Sequence, residues 1–385
     1  MNKSYRILFP EYKSDFETEW SHCLTKLREQ HEGLRCFKLV IFISAAHEAE
    51  YRERCHLLKL SLKAFFGDGC PAFTILAQAP GAFQVAVEAG YLKESDVHVS
   101  YQSFRDIPYV VLEGFGYREI WGCGMQGDPP SGSVEKDSAL AFDQMLDVLK
   151  REGMEMDHVV RQWNYIGEIL KVEEKNSRKV QNYQVFNEVR NQYYQRYRHR
   201  KDFPSATGIG VTFPGVSIDF CALEEASEVV ESVAVDNEKQ QNPYAYGQEV
   251  LVGAPLVEAA PKQPPQFERA RLLHSPDSST LFLSGTASII GQETVGVNDV
   301  VKQTHVTIDH LQTLAEIANV KKYTSRVMRD AGKWRLLRVY VMNKEDFSVL
   351  KKICSERFPD VPAVFVQADV CRDNLLVEIE GEMGF

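Results

Sequence analysis

From Thr280 to Glu380 short apolar runs alternate with amphipathic stretches in the order strand, helix, strand, helix, strand, strand. The strand-like runs are Thr280–Ser288, Trp334–Val341, Val364–Val370 and Leu375–Glu380, rich in β-branched and aromatic residues. Between them, Val300–Ile317 carries Thr304, Ile308, Leu311 and Ala315 on one stripe, with Leu314 beside it, and Asn298 or Asp299 as a cap. Lys344–Glu356 is the second helix. Two helices inserted into a run of strands can bury their stripes only against a sheet face. The fold class is therefore α+β, with mixed β-sheet and helices packed on one face.

The last strand carries chemistry. With a period of two, Glu378 and Glu380 share one face while Val377 and Ile379 take the other. A carboxyl among apolar neighbours resists ionisation, so its pKa rises, which suits a general acid at neutral pH. The other reading is a wet outer face of an edge sheet. Just upstream stand Cys371 and Arg372; the guanidinium would lower the thiol pKa if both faced one way, whereas a buried Cys371 would be a small hydrophobe.

At 385 residues the chain exceeds what one core usually supports, and we expect two domains, 1–150 and 151–385. A formal charge of −10 argues against nucleic acid, but local arginines can still make one cleft positive. The eight cysteines are scattered, with no CxxC pair and no histidines at metal-ligand spacing, so neither a metal nor a disulfide framework is expected. No signal-peptide core and no apolar run of membrane-spanning length is present, which predicts a cytoplasmic protein with no membrane partner.

In the first domain Phe37–Ile43, Pro71–Ala77 and Gln84–Ala89 read as strands, and Ala45–Leu62 as a helix. The Gly/Pro-dense stretch Gly122–Ser133 reads as a connecting loop, since it lacks the pattern of a phosphate cradle. Ser138–Glu152 has helical spacing of Ala139, Phe142, Met145 and Leu149 and stops at Gly153. Val159–Gly167 opens the second domain, and the stretch from Glu224 to Arg271, acidic and then Pro/Gln-rich, reads as an exposed crossing loop. No clean repeat is visible between the halves.

A helix over Val180–Arg198 places Tyr183, Phe186, Arg190, Tyr194 and Tyr197 on one side. Hydroxyls and a guanidinium beside a phenyl ring form a wall for a planar carboxylated ligand, or else a surface helix whose arginine snorkels. In Phe203–Thr212 that follows, Thr207, Gly208 and Gly210 permit close approach of backbone to a ligand. Ser284-Gly285-Thr286 lacks the nucleophile-elbow pattern, and His305 and His310 read as solvent-facing.

These segments together resemble the chorismatase family. The matching pieces are Arg161–Tyr165, Tyr183–Phe186 with Arg190, Ala206–Gly210, Phe282–Gly291 with Glu293–Val295, and Ala368–Arg372 with Leu376–Glu380. The resemblance implies a RidA/YjgF-like catalytic domain (a chorismate mutase-like layer) over 151–385, and a divergent α+β domain of similar layering over 1–150. It implies action on chorismate, a small anionic substrate, with pyruvate release and no cofactor. Glu378 matches the family's catalytic glutamate, and Cys371 a cysteine typical of members that form 3-hydroxybenzoate. Members that hydrolyse chorismate to a dihydroxycyclohexadiene carboxylate usually carry a smaller residue there, and a mixed 3-/4-hydroxybenzoate outcome is a further alternative. Arg190 matches one carboxylate grip and Arg338 or Arg161 the second, with Tyr183, Tyr194, Thr207, Gly208, Ser284 and Gly285 completing the expected substrate contacts. Where smaller RidA proteins have an arginine this chain has Val364 and Phe365, a departure that weighs against imine deamination. A non-enzymatic ligand-sensing module is the rival from another class, and it expects an exposed Glu378. The assembly is expected to be a monomer or a homotrimer.

Overall fold

Strand-forming runs, the central ones buried on both faces, give three mixed sheets, each backed by two long helices on its outer face. The computed structural model describes residues 2–385 except 30–32, 94, 96, 115, 176–177, 226–229, 276–277, 325 and 327–330. The first unit contains β1 (Ser4–Leu8), α1 (Phe16–Glu29), β2 (Leu34–Ile43), α2 (Glu48–Phe66), β3 (Ala72–Ala77) and β4 (Val85–Lys93). The second contains β5 (His98–Phe104), β6 (Ile107–Gly114), β7 (Tyr117–Gln126), α3 (Val134–Arg151), β8 (Val159–Gly167), the hairpin β9 (Val172–Lys175) and β10 (Arg178–Gln181), α4 (Asn182–Tyr197), β11 (Ser205–Val211) and β12 (Val216–Glu225). The third contains β13 (Glu231–Val235), β14 (Ala270–His274), β15 (Ser279–Ala287), the short β16 (Ile289–Ile290) and β17 (Glu293–Thr294), α5 (Val300–Ala315), α6 (Ile317–Val320), β18 (Lys333–Val341), α7 (Phe347–Arg357), β19 (Ala363–Gln367) and β20 (Val377–Gly384).

The sheet orders are β3-β2-β4-β1, β11-β8-β12-β7-β6-β5 and β19-β18-β20-β15-β14-β13. These are one topology written three times, the first copy lacking the two outer strands. In each copy the strand pair around the second helix is parallel (β2/β3, β8/β11, β18/β19), and the last strand runs antiparallel beside the first of that pair. The register equates Phe42, Tyr165 and Tyr340, which face Ala86, Ser217 and Glu378 respectively. Two residues on, the equivalent trio is Glu88, Asp219 and Glu380. The first and last of these trios keep an aromatic ring and a carboxylate, whereas Ala86, Ser217 and Glu378 share no residue type, and matches so sparse left the repeat invisible in sequence.

Each sheet packs its outer face on its own helices. Leu39, Leu58 and Leu62 belong to the first of these cores, Phe142, Phe186 and Ile218 to the second, and Leu283, Ile308 and Val377 to the third. The inner faces meet in one shared core that holds Phe37, Trp121, Trp163, Phe282 and Tyr340. Main-chain bonds join the copies near the ends of their penultimate strands. Thr212 N donates to Ala77 O (3.0 Å), Gly210 N to Asp369 O (2.9 Å) and Gln367 N to Ala79 O (2.9 Å).

Most expected elements are present with shifted ends. Asp299, not Asn298, caps α5 by accepting from Lys302 N at 2.9 Å, and Gly153 ends the α3 region at φ 72°. Gly122–Gln126, expected in a loop, instead ends β7. α1, β5 and β6 were not foreseen. A cut at residue 150 separates β5–β7 from β8, β11 and β12, with which they share one sheet. The segment from Glu224 to Arg271, expected as an exposed loop, includes β13 and buries Leu251, Glu268 and Arg269; its residues 226–229 lie outside the described ones. His310, expected in solvent, is buried on the sheet side of α5 and bonded to Asn237 (3.0 Å), and burial holds its pKa down at about 4; His305 is exposed. No described helix is long and apolar enough to cross a membrane.

Candidate active site

Glu378 starts β20, opposite Ala287 of β15 and Tyr340 of β18, where the second and third units meet. Strand alternation sends Val377 and Ile379 into the helix-backed core and turns Glu378 and Glu380 inward. Neither carboxylate is wet: Glu378 is 4% exposed and Glu380 3%. The exposed Glu378 required by the sensing-module reading is not found.

The two carboxylates differ in partners. Glu380 accepts from Arg161 Nη2 (2.5 Å), Arg338 Nη1 (2.9 Å), Trp163 Nε1 (3.0 Å) and Tyr340 Oη (3.2 Å), and from the Thr207 hydroxyl. Burial pushes its pKa up, but the two guanidiniums and the Thr207 bond hold it below the usual carboxylate range. Arg338 also grips Glu88 through Nε (2.5 Å) and Nη2 (2.6 Å), tying the first unit to the third. Glu378 accepts no hydrogen bond from the described residues. Burial and then the anionic Glu380 raise its pKa to about 8, with Arg161 and Arg269 opposing. One carboxyl is thus a fixed anion and its neighbour holds a proton at neutral pH. This separation is the pattern of a general acid beside an electrostatic anchor.

Gly285 makes the close packing possible. A Cβ there would lie 2.1 Å from Glu378 Oε1 and 2.9 Å from Thr207 Cγ2. Thr207 Oγ1 sits between the groups, accepting from Arg161 Nη2 (2.7 Å) and Gly285 N (2.9 Å) while donating to Glu380.

Glu378 opens onto a cleft of about 670 Å³, its mouth included, shared by α4, β11, β15 and the approach to β20. Of the expected residues, Tyr183, Gly208, Gly285, Cys371 and Glu378 line it. The others stand behind or away. Arg190 is buried, donates to Asn187 Oδ1 (2.7 Å) and interacts with the Tyr183 hydroxyl, and it is not in the cleft lining. Tyr194 donates to Gln162 Oε1 (3.0 Å) and stacks on Phe203. Ser284 Oγ donates to Glu268 O (2.6 Å) and accepts from Ala206 N (2.9 Å), a link between β15 and β11. Arg161, Arg338 and Thr207 serve Glu380. The Cys371 thiol is pushed up to about 12 by burial and by Glu378, with Arg372 opposing, so it is a neutral thiol rather than an activated one.

The cations that line the cleft are Arg372, singled out in sequence only for its effect on the Cys371 thiol, and Arg269, not singled out at all. Arg269 donates to Gln241 O (2.5 Å) and Tyr246 Oη (2.8 Å), and its Nε is buried without a partner among the described residues. Arg372 donates to Gln292 O (2.8 Å) and lies 5.4 Å from the Tyr246 ring centroid. Tyr246, Leu251 and Phe267, from the segment read as a plain loop, form the roof. The signal for Arg269 was its place at the end of the Pro/Gln-rich run, where a strand resumes. Among the described residues no group of His, Cys, Asp and Glu side chains has the geometry to hold a metal ion.

A family model described as "Chorismatase FkbO/Hyg5-like, N-terminal" matches residues 117–222. A 3-hydroxybenzoate synthase of Streptomyces hygroscopicus is 30% identical over 259 residues, which is 66% of this chain and 71% of that protein. A chorismatase of Streptomyces rapamycinicus is 28% identical over 320 residues, covering 82% and 86% of the two chains. Among solved structures, a chorismatase crystal structure superposes with a TM-score of 0.70 over 99% of each chain at 19% identity, a likeness of fold.

Proposed function

Because this chain belongs to the chorismatase family, we propose that it converts chorismate to 3-hydroxybenzoate and pyruvate, with Glu378 as the proton donor. The observation that carries this reading is the Glu378 carboxyl itself: buried, without a hydrogen-bond partner among the described residues, and holding its proton to about pH 8 at the wall of the cleft. Chorismate carries an enol-pyruvyl ether whose terminal methylene is a weak base. Proton transfer from Glu378 makes an oxocarbenium ion, which the new Glu378 carboxylate stabilises. The bond from the ring carbon to the ether oxygen then breaks to release pyruvate, the oxygen of the adjacent ring hydroxyl shifts to the vacated carbon, and loss of one ring proton, returned to Glu378, aromatises the product. Arg269 and Arg372, the cations in the lining, are assigned to the two substrate carboxylates in place of Arg190 and of Arg338 or Arg161. Tyr183 and Tyr246 supply ring walls.

Incubation of purified protein with chorismate, followed by chromatography, tests this directly: pyruvate and 3-hydroxybenzoate should accumulate in equal amounts. Intact chorismate would defeat the proposal; a diol would move the chain to the hydrolase branch. Since the acid must be protonated, kcat/KM is expected to fall as pH rises through about 8. A profile that rises across that range would assign Glu378 the role of a base.

Cys371 shapes the part of the wall next to Glu378 and is proposed to limit water there. Cys371→Ala should move the product toward the dihydroxycyclohexadiene carboxylate while the protein folds normally. An unchanged aromatic product would remove Cys371 from product choice. The chain is further proposed to act as a monomer, because three like units already surround one core. Sedimentation at the mass of three chains would contradict this.

A further inference from the structure

The register that equates the three units also points to a second cleft. It lies between the first and second units, is larger (about 1310 Å³, mouth included), and is built from equivalent parts. Its walls are the second helix and penultimate strand of one unit (α2, β3) and the end of β7 and start of β12 of the next. The Glu378 cleft has the same relation to α4, β11, β15 and β20.

The chemistry at equivalent positions has changed. Ile75 stands where the first cleft has Gly208, Gln126 where it has Ala287, and Ser217 where it has Glu378. Ser217 is 6% exposed, and its hydroxyl has no hydrogen-bond partner among the described residues. The cleft thus keeps a polar group at the proton donor's place but has no acid there. Tyr51 and Phe213 form an aromatic wall, with ring centroids 5.3 Å apart. Arg52 and Lys59, two helical turns apart on α2, supply positive charge. Each is held by one carboxylate, Arg52 by Glu48 (2.5 Å) and Lys59 by Asp128 (2.6 Å), and all four side chains are at least 40% exposed. Surface pairs of this kind are weak, so a ligand carboxylate can replace one protein partner. The two acids in the lining balance the two cations and disfavour a dianion.

We propose that this second cleft binds a small aromatic monocarboxylate without transforming it. The ring lies against Tyr51 and Phe213, the carboxylate exchanges with Asp128 at Lys59, and a ring hydroxyl, where present, reaches Ser217 Oγ. This goes beyond the reaction assigned to Glu378 and does not depend on it.

The test uses the full chain and 4-bromobenzoate, whose bromine is located by anomalous scattering in soaked crystals, with calorimetry in solution alongside. The expected result is a bromine peak beside Phe213, and a solution binding event that Lys59→Glu weakens at least tenfold. A peak at the Glu378 cleft is a separate observation and bears on the active site alone. Absence of a peak beside Phe213 would overturn the proposal. So would a peak with no calorimetric counterpart, which is binding at crystal concentration only, or equal affinity in Lys59→Glu. Lys59 is at the surface, so the variant is expected to fold. Ser217→Ala provides a second check: it should weaken 3-hydroxybenzoate and leave benzoate unchanged, and equal effects on both would remove Ser217 from the site.

Discussion

Glu378→Gln is expected to lower chorismate turnover by at least ~10²-fold, the usual loss when a positioned acid is removed. The substitution keeps shape and removes the proton, so substrate binding should survive. Stability separates this from misfolding. The folded-state pKa of Glu378 is raised from 4.5 to about 8, so the folded protein holds a proton that the unfolded chain releases. Its contribution to stability is therefore fully present below the ordinary value and is lost as pH rises through about 8. Above that pH the native protein carries a buried unpaired anion, which the Gln variant lacks. Melting curves should show Glu378→Gln at least as stable as the parent at alkaline pH. Near-native turnover with substrate binding verified would withdraw the assignment.

Arg338→Met should cost about 3–5 kcal/mol of stability, the usual penalty for breaking a buried ion pair from one side. Arg338 is 1% exposed and bridges Glu88 of the first unit and Glu380 of the third. Met preserves the bulk and leaves both carboxylates short of donors. Urea unfolding should show a lower midpoint. A midpoint unchanged from the parent would mean that Arg338 is not the tie between these units.

The order of strands and helices in the last hundred residues was legible because period-two and period-3.6 patterns are local. The Glu378/Glu380 face was legible for the same reason, and so was the buried stripe of α5. Whether that face was wet was not, because its cover comes from Thr207, Arg161 and Trp163, far away in the chain. The arginines failed in the same way. Arg161 lies 219 residues from Glu380, and nothing local says whether a buried guanidinium serves a substrate or a fixed carboxylate. Arg269 was hidden inside a Pro/Gln-rich segment whose composition reads as solvent-exposed. That segment is ordered by what it covers, as Tyr246, Leu251 and Phe267 show. The threefold repeat escaped because equivalent places hold Glu378, Ser217 and Ala86, kept in register by hydrogen bonding rather than by side-chain identity.

In the proposed reaction the enol-pyruvyl methylene is protonated by an enzyme acid in exchange with solvent. Turnover of chorismate in deuterium oxide, with the pyruvate methyl read promptly by NMR or mass spectrometry, tests it most directly. One deuterium is expected in the methyl group of each pyruvate released, at a rate that falls with Glu378→Gln. An unlabelled methyl group, its third hydrogen drawn from the substrate ring, would contradict it.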